Sequence, residues 1–526
     1  MADSTSGVSI NSINSMIGST NSNRVSGLAS GIDVDSIMTQ IMTAESQPMI
    51  QMQQRLQQTE WLRDDYRSMN TLLSNLEDTI FPMKLQNSYL TKSATSSNDS
   101  IVSATATPNA GNTTYKLSNV KMAASASAVG GEITTNPDFD PDKSLASQSE
   151  ILGSLPESIT FSITTYDENG KPIAPDPPFS FDPGTTSLND MLKTISDSNS
   201  GVNAFYDPFT HKIAMTRKET GNLNPNGSDI VFSGNFITNT LKMTSTDANF
   251  TDGSDAEFTI NGLDTHRHSN TFTVGGVTYT LQGNTAPGET ATVRVDNDTE
   301  AVFKKITDFV DQYNDTIAKI NDKISEKRYR DYPPLTDLQK SEMKDSDIEN
   351  WTNRAKSGML ASDSILTGAL AQMRQDIYSS VSGTGNDEMD QLAEIGITTS
   401  TDYLEHGKLV VDEAKLREAI STDPQAVMNL FSKQGTTEAD QGIMQRLDGT
   451  LKKTVDQIEE KAGKTSWVED QYSMGRSIND MNERIAAFKL RLVDVENRYY
   501  AQFDAMEAAI QQANSQAGYL QQFMGQ

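Results

Sequence analysis

Residues 478–524 read INDMNERIAAFKLRLVDVENRYYAQFDAMEAAIQQANSQAGYLQQFM, and their apolar side chains fall on a single line. Ile478, Met481, Ile485, Phe488, Leu492, Val495 and Tyr499 alternate steps of three and four, the spacing of one face of a coiled-coil helix. After one further four-residue step the line continues through Phe503, Met506, Ile510, Ala513, Ala517, Leu520 and Met524. At 1.5 Å per residue such a helix is about 70 Å long. An apolar stripe of that length needs a partner surface. Packing against another molecule is the expectation, with the interior of a bundle formed by the same chain as the competing reading.

The other end of the chain carries a related pattern. Asp33 is placed to cap a helix whose first turn holds Asp35 and Ser36, and Ile37 and Ile41 start a face. Pro48 is expected to break or restart that helix. Met49, Met52, Leu56, Thr59, Leu62, Tyr66, Met69, Leu73, Leu76 and Ile80 then recur at threes and fours up to Pro82. Helical spacing returns at Thr299 with Phe303, Ile306, Val310, Tyr313, Ile317, Ile320 and Ile324. It resumes after Pro333-Pro334, over 337–356 and 362–379, and a small strand is expected at Leu409–Val411.

Between these helical ends the composition changes. Of 17 prolines, 12 lie from Pro108 to Pro287. Ile159–Ile163 and Phe258–Ile260 alternate apolar and polar residues, the period of a strand. Thr271–Val274 and Val277–Leu281 flank Gly275-Gly276, a two-residue hairpin turn. One helix is expected near Ser187–Ser196, where Leu188, Met191, Leu192 and Ile195 share a face.

The fold class that follows is multidomain α+β. Terminal helices form a coiled-coil or helical-bundle stalk, and central antiparallel β-rich domains form a head. The expected divisions are a disordered N-terminal tail at 1–36, stalk helices at 37–98 and a β-rich head at 99–298. The head has two subdomains, the outer one inserted at about 132–250. A helical stalk domain with a small β element follows at 299–470, and a coiled-coil leg closes the chain at 471–526. The tail assignment rests on composition: fifteen of the first 23 residues are Ser, Asn, Thr or Gly, too polar to offset the entropy of ordering.

Charge and composition exclude several functions. Across 526 residues, 43 Lys and Arg face 71 Asp and Glu, a net charge of −28. Such a chain repels phosphate backbones, so nucleic acid is not an expected partner. No cysteine is present, which removes disulfides and thiolate chemistry. No run approaches the ~20 apolar residues of a membrane span. The first basic residue is Arg24, so the N-terminus lacks the basic start of a signal peptide. Cytosolic residence, or export without signal cleavage, is expected.

Three short strings invite chemistry. Gly27-Leu28-Ala29-Ser30-Gly31-Ile32-Asp33 lacks dinucleotide-loop spacing and reads as a glycine turn feeding a helix cap. Asp138-Phe139-Asp140-Pro141-Asp142 begins like a calcium loop, but Lys143 stands where the glycine belongs and Ser149 where the glutamate belongs. A solvated acidic loop is the better reading. His266 and His268 place two imidazoles on one strand face, but no third ligand is identifiable. Only His211 and His406 remain, so no catalytic grouping can be assembled. No enzyme activity, metal or cofactor is expected.

Four blocks in order resemble a known family. Arg24–Asp33 with Ile37, Met42, Glu45 and Pro48 is similar to the N-terminal signature of flagellar hook-associated protein 2, the filament cap. Phe258–Gly262 through Asn270 and Val277–Leu281 resembles its middle region. Leu392–Ile397 through Gly407–Leu409, Asp423-Pro424 and Leu430-Phe431 resembles its C-terminal region, as do Tyr499, Phe503, Met506, Asn514–Gln516 and Tyr519-Leu520. Tyr332–Thr336 with Trp351 and Ala355–Gly358 is like a subset of these caps. Residues 123–254 match least.

The resemblance implies a secreted protein of the bacterial flagellum. It would leave through the flagellar export apparatus with an export chaperone and without a cleaved signal peptide. It would form a homo-oligomeric ring at the filament tip that promotes folding and insertion of exported flagellin and prevents its leakage. Flagellin and the hook–filament junction proteins are then the expected partners. The helical seam Ile478, Met481, Ile485, Phe488, Leu492, Val495, Tyr499, Phe503 and Met506 would be the docking surface, with Gly27, Leu28, Gly31 and Asp33 as the N-terminal signature. A surface adhesin binding host mucin or other glycans through the β head is the alternative.

Overall fold

The computed structural model describes residues 31–244 and 249–524. Of the disordered tail expected at 1–36, residues 1–30, with Gly27 and Leu28 of the signature, lie outside the described residues, and its end is corrected, since Val34–Ser36 are already helical with Val34 buried. Helix α1 spans Val34–Ile80. Strands dominate the chain from Lys92 to Asn297, interrupted by α2 (Leu188–Asp197) and by short helical turns at Leu145–Gln148, Ser149–Leu152 and Phe236–Thr240. Helices return as α3 (Thr299–Ser325), α4 (Asp345–Lys356), α5 (Ser364–Tyr378), α6 (Glu413–Thr422), α7 (Pro424–Ser432), α8 (Ile443–Ala462) and α9 (Ser473–Met524). The strand expected at Leu409–Val411 forms and pairs antiparallel with Ile397–Thr399.

These elements gather into two compact units. One holds the described residues up to Tyr89 together with those from Thr299 on; the other is Leu90–Asp298. The first boundary corrects the expected one at 98/99. Lys92–Ser96 is a strand paired along its length with Thr290–Asn297, and its run Lys-Ser-Ala-Thr-Ser has too few apolar residues to announce itself. The residues from 471 on do not stand apart as a separate leg but belong with 299–470.

Pro48 does not break α1, which runs through it. A proline inside a helix costs roughly 3 kcal/mol. On either side of it Met38, Met42, Met49 and Leu56 are buried in one cluster, and each such side chain contributes about 1.5–3 kcal/mol when fully buried. Tertiary burial therefore outweighs the lost hydrogen bond.

In the β unit, a five-stranded antiparallel sheet runs in the order Lys92–Ser96, Thr290–Asn297, Thr113–Lys121, Ala256–Ile260, Leu263–Arg267. A three-stranded sheet of Thr271–Val274, Val277–Leu281 and Val102–Ala106 shares its core of Val102, Leu117, Phe258, Tyr279 and Val293. Gly275 and Gly276 both take positive φ, +60° and +80°, the geometry of a two-residue type I′ hairpin. A second core, with Ile159, Phe161, Leu188, Ile195, Ile213 and Met215, begins at Ala126 and reaches Met243. It starts earlier than the 132 expected, because the short strand Ser127–Val129 pairs with Lys212–Arg217.

Candidate assembly surface

The apolar line of α9 meets α1 of the same chain. Ile478, Ile485, Leu492 and Val495 are buried together with Val34, Met38, Met42, Met49 and Leu56. Met481, Phe488, Tyr499 and Phe503 pack half-buried against that cluster. The stripe's first partner is thus intramolecular, which corrects the expectation that this stretch waits for another molecule.

The pairing is antiparallel and its register is pinned near the start of α9. Arg67 Nε donates to the carbonyl oxygens of Ala462 (3.0 Å) and Gly463 (3.2 Å), and Arg67 Nη2 to that of Lys464 (3.2 Å). The same guanidinium stacks on the ring of the buried Tyr472, 5.3 Å from its centroid. Counting equal lengths from Arg67 down to Val34 and from Tyr472 upward brings α9 to about residue 505, at one common rise per residue. Phe503 is accordingly the last stripe residue packed on the cluster.

Beyond that point the cover from described residues falls away. Met506 and Ile510 are still partly buried, and Ala513, Ala517, Tyr519, Leu520 and Met524 are exposed, Leu520 at 63 % and Met524 at 87 %. One heptad pattern thus splits into an internal half and a free half. The seam also holds a charged residue: Glu496 is 5 % exposed, and its Oε1 has no hydrogen-bond partner. Burial pushes its carboxyl above the usual carboxylate range.

At the other end of α1, polar contacts tie the bundle. Tyr66 Oη donates to the carboxylate of Asp363, the N-cap of α5, and accepts from Lys461 Nζ of α8. Burial first, and Asp363 second, push the Tyr66 phenol up. Asp448 of α8 pairs with Lys84 and Lys452, each at 2.8 Å. Burial alone would raise the Asp448 carboxyl, but hydrogen bonds to Lys452 and Lys84 outweigh it and hold it low.

The signature residues have structural roles where they are described. Asp33 Oδ1 accepts from the Ser36 amide at 3.0 Å and so caps α1. Gly31 has φ +72°, a conformation that suits glycine at the turn before the cap. The Leu392–Ile397 block is likewise local architecture: Gln391 and Glu394 form a reciprocal cap, and Gly396 closes it at φ +91°. A Cβ at Gly396 would lie 2.9 Å from that of Lys415.

The other short strings are held in local structure. The loop starting at Asp138 is closed by Gln148, which accepts from the Asp140 amide (2.8 Å) and donates to its carbonyl oxygen (2.7 Å). His268 Nδ1 lies 2.9 Å from Asp255, while His266 sits opposite Glu257 in the strand pair. Among the described residues no three His, Asp or Glu side chains converge as a metal site, and no helix is long and apolar enough to cross a membrane. The sequence reading passed over one further feature, the basic and aromatic run Lys327–Tyr332 beside α4. The density of cations in so acidic a chain was the signal for it.

Comparison with known proteins places this architecture. Family descriptions for the flagellar hook-associated protein 2 N-terminus and C-terminus match residues 30–127 and 253–515. A flagellar hook-associated protein 2 of Halalkalibacterium halodurans is 36 % identical over 95 % of this chain and 99 % of the relative. One of Thermotoga maritima is 24 % identical over 95 % of each. Among solved structures, the D1-D2-D3 domains of the flagellar cap protein from Escherichia coli superpose with a TM-score of 0.51 at 20 % identity, covering 73 % of this chain and 95 % of that one. That likeness speaks to the fold.

Proposed function

Since the chain belongs to the flagellar hook-associated protein 2 family, the structural cap proteins of the flagellar filament, we propose that it assembles as a ring at the filament tip. There it holds exported flagellin in place while each subunit folds and inserts. The partners in this reading are further copies of the chain, flagellin and the hook–filament junction proteins. Passage through the flagellar export apparatus with an export chaperone, without signal cleavage, completes it. The chain without cysteine suits passage in an unfolded state.

The observation that carries the docking part is the split seam. The stripe from Ile478 to Phe503 is used up by α1, whereas Ala513 to Met524 continues the same spacing on positions left exposed among the described residues. An uncovered stripe of coiled-coil spacing is a helix-binding surface. The docking role proposed for the seam therefore centres on its distal part, from Ala513 outward, and Ile478 to Val495 hold the helix that presents it.

The test is complementation of a deletion strain. The deletion is expected to secrete flagellin monomer and lack filaments, and the intact gene to restore them. A gene carrying Tyr519→Asp and Leu520→Asp is expected to be exported yet leave flagellin in the medium. Normal filaments with that variant would sink the docking reading. A deletion strain that swims but no longer attaches to mucin would replace the cap reading with the adhesin one.

A further inference from the structure

Between α3 and α5 the chain leaves the bundle and returns. Residues 326–336 form no helix or strand and turn at Arg330-Asp331, Asp337–Ser341 makes one short turn of helix, and α4 follows. The excursion is anchored throughout. Arg328 Nη1 donates to the carbonyl oxygens of Ala355 (3.1 Å) and Ser357 (3.2 Å), Trp351 Nε1 to that of Pro333 (2.7 Å), and Gln54 Nε2 of α1 to that of Pro334 (2.9 Å).

Its charges are segregated. Lys327, Arg330, Arg354 and Lys356 are exposed cations, and none pairs with a carboxylate among the described residues. Three are held over aromatic rings instead: Lys327 over Tyr329 (5.0 Å), Arg354 over Tyr332 (5.0 Å) and Lys356 over Trp61 (5.3 Å). Elsewhere in the same unit several exposed cations find carboxylates, as Lys304 with Asp308, Lys319 with Asp315 and Arg417 with Glu300, whereas Arg491 and Arg498 are held singly over Phe488 and Tyr499. On the same excursion Glu342, Asp345, Asp347 and Glu349 are exposed and equally unpaired among the described residues. Asp331 on the basic side and Lys344 on the acidic side are the minority charges.

The dipole of α4 accounts for part of this, since acids favour its first turn and bases its last. It does not account for Lys327, Arg330 or Glu342, which lie outside that helix. We propose that the excursion is a head-to-tail contact between copies of this chain, with the basic–aromatic cluster of one copy seated on the acidic row Glu342–Glu349 of the next. The inference rests on the oligomeric reading above. The two surfaces are opposite in sign, four exposed cations against four exposed carboxylates, and a chain of net charge −28 otherwise offers its neighbour mostly repulsion. Because the two surfaces are different patches, the contact is heterologous: it repeats from copy to copy and gives a ring when the rotation between copies closes. A single exposed ion pair contributes little, so the row and the flat aromatic faces act together.

The test is self-assembly of the purified full chain by sedimentation velocity across protein concentration and salt. Wild type is expected to assemble, less readily as salt rises. Lys327→Glu with Arg330→Glu is expected to raise the concentration needed for assembly by about tenfold or more. Adding Glu342→Lys and Glu349→Lys in the same chain is expected to restore it, because both faces then carry reversed charge. The melting curve of each variant reports whether it is folded. Reversal without effect, or a folded four-fold variant that fails to recover, overturns the contact while leaving the oligomer intact. A double variant that loses binding to purified flagellin but still self-assembles makes flagellin the occupant and overturns it also. A wild type that stays monomeric at every concentration overturns the oligomeric reading together with it.

Discussion

The guanidinium of Arg67 reaches the carbonyl oxygen of Ala462 at 3.0 Å, and through it α1 holds the turn that launches α9. Gly463 and Lys464 share the same donor group. Hydrogen bonds from a charged donor are worth about 1.5–3 kcal/mol when lost. Arg67→Ala should therefore lower stability by about 1–3 kcal/mol. Arg67→Lys should recover only part of it, since an ammonium lacks the planar fork that spans three carbonyls. Urea unfolding of the three proteins measures both, and an Arg67→Ala midpoint equal to wild type would refute the pinning role.

The two halves of the stripe should respond oppositely to charge. Leu492→Asp with Phe488→Asp puts two carboxylates in the α1–α9 seam, where Leu492 is buried and Phe488 packs beside it. The loss of burial plus desolvation should cost several kcal/mol. Hydrogen exchange is expected to show α1 and α9 deprotected while Leu90–Asp298, with cores of its own, keeps its protection. Tyr519→Asp with Leu520→Asp, on exposed positions, should leave protection unchanged over residues 34–80. Loss of protection there would mean that the distal half is internal too.

Pro48 should be a site of easy stabilisation. The helix already passes through it, so Pro48→Ala restores one backbone hydrogen bond without altering the path of the chain. A gain of about 1–3 kcal/mol is expected, read as a higher Tm with unchanged helical circular dichroism. A fall in Tm would show that a bend at Pro48 is required for the seam to close.

Glu496 sets a pH dependence of defined sign. Its carboxyl lies above the ordinary 4.5 in the folded chain because it is buried. The fold therefore binds a proton that the unfolded chain has released, so this residue's contribution is most favourable below the unfolded value. It is lost as pH rises through the folded one. Glu496→Gln, which stays neutral, should raise Tm at pH 7.5 by more than at pH 5. An equal change at both values would mean that the carboxylate is solvated in the seam.

Much of the architecture could be read directly from residue order because its signals are local. Period-two runs and the Gly275-Gly276 turn announced the hairpins, and steps of three and four announced α3 and both long helices. The anchored excursion at 326–357 was legible only as a string, Tyr332–Thr336 with Trp351, since the pairing of Trp351 with Pro333 and of Gln54 with Pro334 joins distant positions.

What residue order determined on its own, then, was each element and the face it would bury, because periodicity is a property of neighbours three, four or two apart. Which surface covers that face was decided in three dimensions. A stripe of Ile478, Ile485 and Leu492 specifies an apolar helix as its partner but not whose helix, and Met38, Met42 and Met49 satisfy it as well as another molecule would. Likewise Lys92–Ser96 becomes a strand because Thr290–Asn297 offers it backbone partners, and Pro48 stays helical because burial on both sides outweighs one missing hydrogen bond. In each case the deciding free energy comes from contacts between residues far apart in the chain.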